Sequence, residues 1–204
     1  EWAELLASAP ELVPHSTPEA VDPFMLIFTS GTSGDPKPVR LAHMLIPFAG
    51  PPLVEKFGIT ASDVCYLSMP LFHSNAVLAG WSVAVGSGAA MAPAAFSASG
   101  LLTDLRRYGV TYMNYVGKPL AYVLATPEES DDHDNPLRIA FGNEANERDI
   151  DEFARRFDCH VWDGFGSTEG AVIVTREEGC PAGSIGRGFP GVAIYDAETM
   201  TECA

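Results

Sequence analysis

The sequence predicts an α/β fold built on a mainly parallel, helix-covered sheet. Two observations carry that expectation. Apolar runs of strand length, FMLIF (24–28), CYLSM (65–69), VTYMNYV (110–116), LRIAF (137–141) and CHVWD (159–163), alternate with stretches of helical pattern. A chain of 204 residues, 47% hydrophobic and 19% charged, can also bury a substantial core as one domain or two small ones.

In chain order, residues 1–23 read as a lead-in connector: a short helix over Trp2 to Ala7, then Pro10, Pro14, Pro18 and Pro23. Phe24 to Phe28 reads as a buried strand. Between His43 and Phe57 the prolines Pro47, Pro51 and Pro52 predict a short or broken helix. Cys65 to Met69 reads as a strand, Ala76 to Val85 as a buried helix and Ala89 to Ala92 as a short strand. No Asp, Glu, Lys or Arg occurs between Val64 and Thr103, yet the apolar helix is cut by Gly86-Ser87-Gly88 far short of the roughly 20 residues a bilayer span needs. Ser97 or Ser99 can cap a helix over Gly100 to Tyr108. Val110 to Val116 is rich in β-formers, with Tyr112 and Tyr115 expected in the core, and Lys118 to Ala125 follows as a helix. Leu137 to Phe141 is a buried-strand pattern. The helix after it places Ile150, Phe153, Ala154 and Phe157 at i, i+3, i+4 and i+7, one apolar face for a sheet. Cys159 to Asp163 completes the series.

Charge and cysteine usage narrow the class. Net charge is −15, from 27 acidic and 12 basic residues, which argues against a nucleic-acid partner. Glu128, Glu129, Asp131, Asp132 and Asp134, flanked by Pro127 and Pro136, read as a solvated loop. Cys65, Cys159, Cys180 and Cys203 show no CxxC spacing, so neither a zinc site nor a disulfide framework is indicated, and a reducing cytoplasm fits. The chain starts at Glu1 and stops after a strand-like GVAIYD, so both ends read as cuts within a longer protein.

The densest chemistry lies in residues 28–39, FTSGTSGDPKPV. Gly31 and Gly34 would let backbone N–H groups converge on an anion; Thr29, Ser30, Thr32 and Ser33 add hydroxyl donors, and Lys37 adds a mobile cation. A loop leaving the end of a strand is where open α/β sheets bind ligands. It is not a P-loop: from Gly31 that pattern needs Gly at 36 and Ser or Thr at 38, and the chain has Pro36 and Pro38. The same residue types also punctuate ordinary solvated turns, so the loop alone leaves both readings open.

TSGTSGDPK resembles the signature loop, roughly [YF]TSGTTGxPK, of the adenylate-forming superfamily of acyl-CoA synthetases, adenylation domains and luciferases. Further phrases are similar to its fatty acid transport protein and very-long-chain acyl-CoA synthetase branch. They are PLFHS (70–74), FSAS (96–99), the YVG of Tyr115-Val116-Gly117, and Gly142-Asn143 after a strand. That branch writes G-N-G at the last of these, whereas this chain has Glu144; Pro38 also stands where relatives often have Gly or Ala. GFGSTE (164–169) resembles the family's [YF]GxTE, about 130 residues after the loop, a spacing that fits several βαβ units. SIGRG (184–188) is similar to the segment before a small connecting sheet.

The resemblance implies part of the large N-terminal domain of such an enzyme, with residues 24–183 binding nucleotide and acyl group, 184–204 starting the next subdomain, and the C-terminal lid domain absent. It implies an ATP-dependent fatty acyl-CoA ligase, with ATP/AMP and Mg²⁺ at the site and CoA as co-substrate. Nucleotide contacts fall on Thr29, Ser30, Gly31, Thr32, Ser33, Gly34 and Lys37, then on Gly142, Asn143, Glu144, Asp163, Gly164, Phe165, Gly166 and Thr168. The catalytic group is Thr168, Glu169 and Lys37, with Glu169 the Mg²⁺ carboxylate. Phe72, His73, Tyr115, Val116 and Gly117 are the implied acyl-substrate contacts. A cytoplasmic enzyme follows, with peripheral membrane association left open, no oligomeric state specified, and no activity expected of residues 1–204 alone. The alternatives are an adenylation domain loading an assembly-line carrier protein and a non-catalytic lipid-binding or uptake protein.

Overall fold

The structure is a computed structural model, and it describes residues 2–10, 13, 16–29, 35–170, 172–177, 179–181, 183–188 and 190–203. After α1 (Trp2–Ser8) comes an antiparallel hairpin of β1 (Pro23–Thr29) and β2 (Lys37–Ala42). The remaining strands form one sheet: β3 (Val64–Leu67), β4 (Ala90–Pro93), β5 (Tyr112–Val116), β6 (Ile139–Asn143), β7 (His160–Gly166), β8 (Ile173–Thr175) and β9 (Arg187–Gly188). Their spatial order is β4-β3-β5-β6-β7-β8-β9; the β4 to β7 block is parallel, and β8 and β9 join antiparallel. The α/β architecture expected from the alternation is therefore present.

Strand parity divides the core into two layers. Tyr66, Met113, Tyr115 and Ala140 face one side, where α4 (Leu101–Tyr108), α5 (Pro119–Leu124) and α6 (Glu147–Phe157) bring Leu101, Leu105, Leu120, Phe153 and Phe157. Cys65, Tyr112, Ile139 and Phe141 face the other, against Phe57 of α2 (Leu45–Phe57), Ala79 and, from α3 (Ser82–Ser87), Val83 and Ala84. Successive side chains of a strand point to opposite faces, so two-sided burial makes each strand read as a continuous apolar run. Cys65 and Cys159 are buried within these layers, and burial pushes both thiols up to about 12, so neither is a nucleophile at neutral pH.

Several expectations are corrected. FMLIF is a strand, but among the described residues it pairs only with β2, and it leaves Leu26 and Phe28 51% and 65% exposed, while Ile27 is buried. An apolar run fits burial on both faces but does not establish it, and it does not say which strand pairs with it. The helix at 45–57 is continuous despite Pro51 and Pro52. Pro47 lies in its first turn, where N–H groups have no helical partner in any case. Gly50 lies so close to the Ser82 carbonyl that a Cβ would come within 2.5 Å of it, and this tight packing offsets the two donors lost to proline. The buried helix at 76–85 is a π-helical segment, Ala76–Trp81, running into α3. The Ser97 hydroxyl accepts from the Gly100 N–H at 3.2 Å just ahead of α4.

The acidic stretch is not simply solvated. Asp132 is 3% exposed, and the buried Arg156 donates to it at 2.5 Å and to the carbonyls of Val123, Thr126 and Pro127. Arg106 donates to the Asp131 and Asp134 carbonyls, and Arg155 to Glu128. Charge counting along a sequence does not see arginines brought from a distant helix. Among the described residues, no helix is long and apolar enough to cross a membrane.

Candidate active site

The parallel strands point their carboxyl ends to one edge of the sheet, and the strand order reverses between β3 and β5, the place where open α/β sheets form a ligand crevice. The segment leaving β3 crosses that reversal. Within it Ser74 and Asn75 reach in opposite directions. The Ser74 hydroxyl lies 3.1 Å from that of Thr168. The Asn75 amide donates to Asn143 Oδ1 at 2.8 Å and accepts from the Asn114 amide at 2.7 Å. Asn143 in turn donates to the Gly164 carbonyl at 2.7 Å, a reach set by the β6–β7 register, which pairs Asn143 with Gly164. Three amides thus bridge the ends of β5, β6 and β7.

Around this ladder the backbone is unusually tight. A Cβ on Gly142 would come within 2.3 Å of the Tyr115 carbonyl, and one on Gly164 within 2.9 Å of the Val174 carbonyl, so both positions need glycine. Glu144 has φ 69, in the left-handed region. Tyr115 lies in the layer opposite α2, and its hydroxyl donates to Asp163 at 2.9 Å; the Ala145 N–H donates to the same carboxylate oxygen at 3.1 Å. Burial raises the Asp163 carboxyl above its ordinary range, and these hydrogen bonds offset part of the rise. The Tyr115 phenol is pushed up, first by burial and then by the Asp163 charge.

Next to Ser74, Asn75 and Asn143 opens a cleft of about 170 Å³. Its walls are apolar: Phe48, Ala49 and Leu53 from α2, Leu78 and Ala79 from the π-helical segment, and Phe141. Its floor is the glycine stretch Gly164-Phe165-Gly166, which continues as strand against β8, whereas the sequence placed the strand end at Asp163. Phe165 is 49% exposed and free to meet a planar ligand. The arrangement suits a molecule with an apolar body and a polar head turned toward hydroxyl and amide groups.

The structure therefore brings Asn143, Gly164, Phe165, Gly166 and Thr168 together, with exposed Glu169 beside them. Gly142, Glu144 and Asp163 flank the ladder, and Gly117, with φ 68, donates to the Asn143 carbonyl at 2.8 Å. Phe72 and His73 are exposed at the start of the crossing segment, and neither they nor Tyr115, Val116 and Gly117 line the cleft. Thr29 and Lys37 face each other across the hairpin. Ser30, Gly31, Thr32, Ser33 and Gly34 lie outside the described residues. Sequence reasoning missed Ser74, Asn75, Asn114 and the α2 wall. A Ser-Asn pair in a short segment and an Asn inside the apolar run VTYMNYV were the only signals, and neither announces a partner.

The sequence profile described as AMP-binding enzyme matches residues 1–204. The chain belongs to that family. It is 54% identical over its whole length to the medium/long-chain-fatty-acid–CoA ligase FadD17 of Mycobacterium tuberculosis, covering 41% of that protein. It is 42% identical to the steroid-22-oyl-CoA synthetase of Rhodococcus jostii, again over all of this chain and 37% of the relative. Long-chain fatty acid transport proteins of rat and mouse match as well, the branch the motifs resemble. The chain thus spans about two fifths of the length of these curated relatives. ATP-bound MatB from Rhodopseudomonas palustris superposes with a TM-score of 0.80 at 21% identity, covering 99% of this chain and 41% of that one, a likeness of fold.

Proposed function

We propose that the protein carrying this chain is an ATP-dependent fatty acyl-CoA ligase. A fatty acid carboxylate attacks the α-phosphorus of ATP, giving acyl-AMP and releasing pyrophosphate; the thiolate of CoA then displaces AMP to form the thioester. The observation that carries this reading is the apolar cleft ending at the Ser74–Thr168 hydroxyl pair and the Asn143 amide, on a chain 54% identical to a medium/long-chain-fatty-acid–CoA ligase. An alkyl chain fits the walls, and the reacting carboxylate would sit at the polar end.

In this reading Thr168 donates to the α-phosphate and Lys37 with the loop residues 29–34 holds the β- and γ-phosphates. Gly142, Asn143, Glu144, Asp163, Gly164, Phe165 and Gly166 form a ledge for adenine. Phe72, His73 and the Tyr115–Gly117 corner guide the acid in. Residues 24–183 make up this binding unit and 184–204 lead into the next. Mg²⁺ is bound by one or two carboxylates together with phosphates, and a single exposed Glu169 beside Thr168 fits that donor set. When bound, the ion supplies charge neutralisation to the phosphates. The chain's own groups act by positioning and by charge stabilisation, with no covalent nucleophile needed.

Fatty-acid-dependent ATP–pyrophosphate exchange by the full-length protein tests the proposal. Straight-chain acids of increasing length, with a steroid carboxylate as a further arm, are expected to support exchange, and CoA to yield thioester. No exchange with any acid would overturn the reading; exchange followed by transfer only to a carrier protein would replace CoA as the acceptor.

A further inference from the structure

The amide ladder has a direction, and one atom sets it. A backbone carbonyl can only accept, so the Gly164 carbonyl requires Asn143 to present its NH₂ group. Asn143 must then turn its oxygen to Asn75, which must present its own NH₂ and turn its oxygen to Asn114. Asn114 donates in its turn, and its Oδ1 is left at the buried end with no partner. Asn114 is 1% exposed, and Gly80 is pressed so close that a Cβ there would stand 2.7 Å from that oxygen. Turning any one amide over would set oxygen against oxygen further along. A group built for stability alone would not leave a buried acceptor bare; apolar residues at 75 and 114 together would avoid it. What the ladder secures is the orientation of Asn143 and, through it, the Gly164 carbonyl and the start of the glycine floor. The neighbouring Ser74 holds Thr168, so two consecutive residues brace both motifs of the ledge.

We propose that Asn75 and Asn114 are positioning residues for the nucleotide ledge, holding the Asn143 amide in the one orientation that grips the Gly164 carbonyl. This rests on the acyl-adenylating reading above. The probes are Asn75→Asp and Asn114→Leu in the full-length protein, followed by pyrophosphate exchange across pH, AMP affinity by calorimetry, and thermal unfolding. Asn75→Asp keeps the shape and the acceptor for Asn114 but removes the donor to Asn143. It is expected to lose about 10²-fold in kcat/KM at neutral pH, the scale of an ångström-sized misplacement, with weaker AMP binding and a small fall in melting temperature that is recovered in acid together with activity. The deficit should shrink relative to the parent as pH falls, because the introduced carboxyl regains a proton to donate to Asn143 Oδ1. Asn114→Leu removes the bare oxygen but also the donor to Asn75 Oδ1, so it should leave the melting temperature near the parent's while losing exchange.

Either folded variant matching the parent at neutral pH overturns the proposal, as does an Asn75→Asp deficit that is the same at every pH. If the parent supports no exchange with any acid, the reaction assignment falls. The positioning role is then decided by AMP alone: weakened and acid-rescued affinity in Asn75→Asp upholds it, and equal affinity, or no AMP binding by the parent, overturns it.

Discussion

The two ends of the parallel sheet are built to different standards. At the amino end, just before β3, Asp63 is buried and accepts from the Thr60 N–H and hydroxyl, the Thr111 hydroxyl and Arg138. Nearby, the Asp132–Arg156 pair ties the loop ahead of β6 to the last turn of α6, and Asn135 donates to the Phe157 carbonyl there. These polar groups are partnered within the chain. At the carboxyl end Asn114 keeps an unpaired oxygen, Glu144 holds a left-handed backbone, the Asp163 carboxyl is raised, and Phe165 lies open beside a cleft. One end is closed by its own side chains, and the other keeps strain and an open cleft. Changes at the amino end should therefore cost stability and spare chemistry, and changes at the carboxyl end should do the reverse.

The largest effect expected is at the amino end. Asp132→Ala leaves a buried guanidinium without its carboxylate, a change that costs about 3–5 kcal/mol. Thermal unfolding of the full-length protein should show a fall of roughly 10 °C. Pyrophosphate exchange should survive at temperatures where the variant is folded. A melting temperature equal to the parent's would mean that this end is not where stability is held. Next in size is Glu169→Gln, which keeps shape and removes the charge offered to Mg²⁺. A loss of about 10²-fold to 10³-fold in exchange is expected, the scale of one preorganised electrostatic group, with no change in melting temperature. Near-normal turnover would remove Glu169 from the metal role.

What could be read from the sequence follows the same division. The sheet was legible because strands buried on both faces are apolar throughout, as in VTYMNYV and LRIAF, and because Ile150, Phe153 and Phe157 repeat at helical spacing. GFGSTE was legible because glycine, aromatic, hydroxyl and carboxylate arrive together. The ladder was not, since Asn75, Asn114 and Asn143 are 39 and 29 residues apart and meet only through strand order and register. Nor was the hairpin pairing of FMLIF, because hydrophobicity carries no address for a partner strand. The continuous α2 was hidden by its prolines. Local propensity forecasts a break there, and the Gly50–Ser82 contact that outweighs it lies 32 residues away in sequence.

A pH titration sharpens the comparison at a smaller scale. Burial by itself would raise the Asp63 carboxyl, but hydrogen bonds from Arg138, Thr111 and Thr60 bring it down to about 2 from an ordinary 3.8. A depressed pKa means that the folded state prefers the charged form. The stabilisation is thus complete above the unfolded value of 3.8 and drains away as pH falls toward 2. It amounts to on the order of 2 kcal/mol. Asp63→Asn should flatten that part of the acid-unfolding profile, and a profile that keeps its slope would assign the acid loss to other carboxylates.

The smallest effect expected belongs to the open end and reverses the usual sign. Glu144 occupies φ 69 where the resembling branch writes glycine, and an L side chain in that region costs roughly 1–2 kcal/mol. Glycine removes this strain but also loosens the unfolded chain, which takes back part of the gain. Glu144→Gly is therefore expected to stabilise by about 1 kcal/mol, a rise of roughly 2–4 °C in a protein of this size or larger. If the strain is retained because the carboxylate serves the nucleotide ledge beside Gly117, the same substitution should weaken AMP binding while the melting temperature climbs. A gain in stability with unchanged AMP affinity would mark Glu144 as tolerated strain. A loss of stability would show that its side chain holds the turn, and the contrast between the two ends of the sheet would then be weaker than the unpaired Asn114 oxygen suggests.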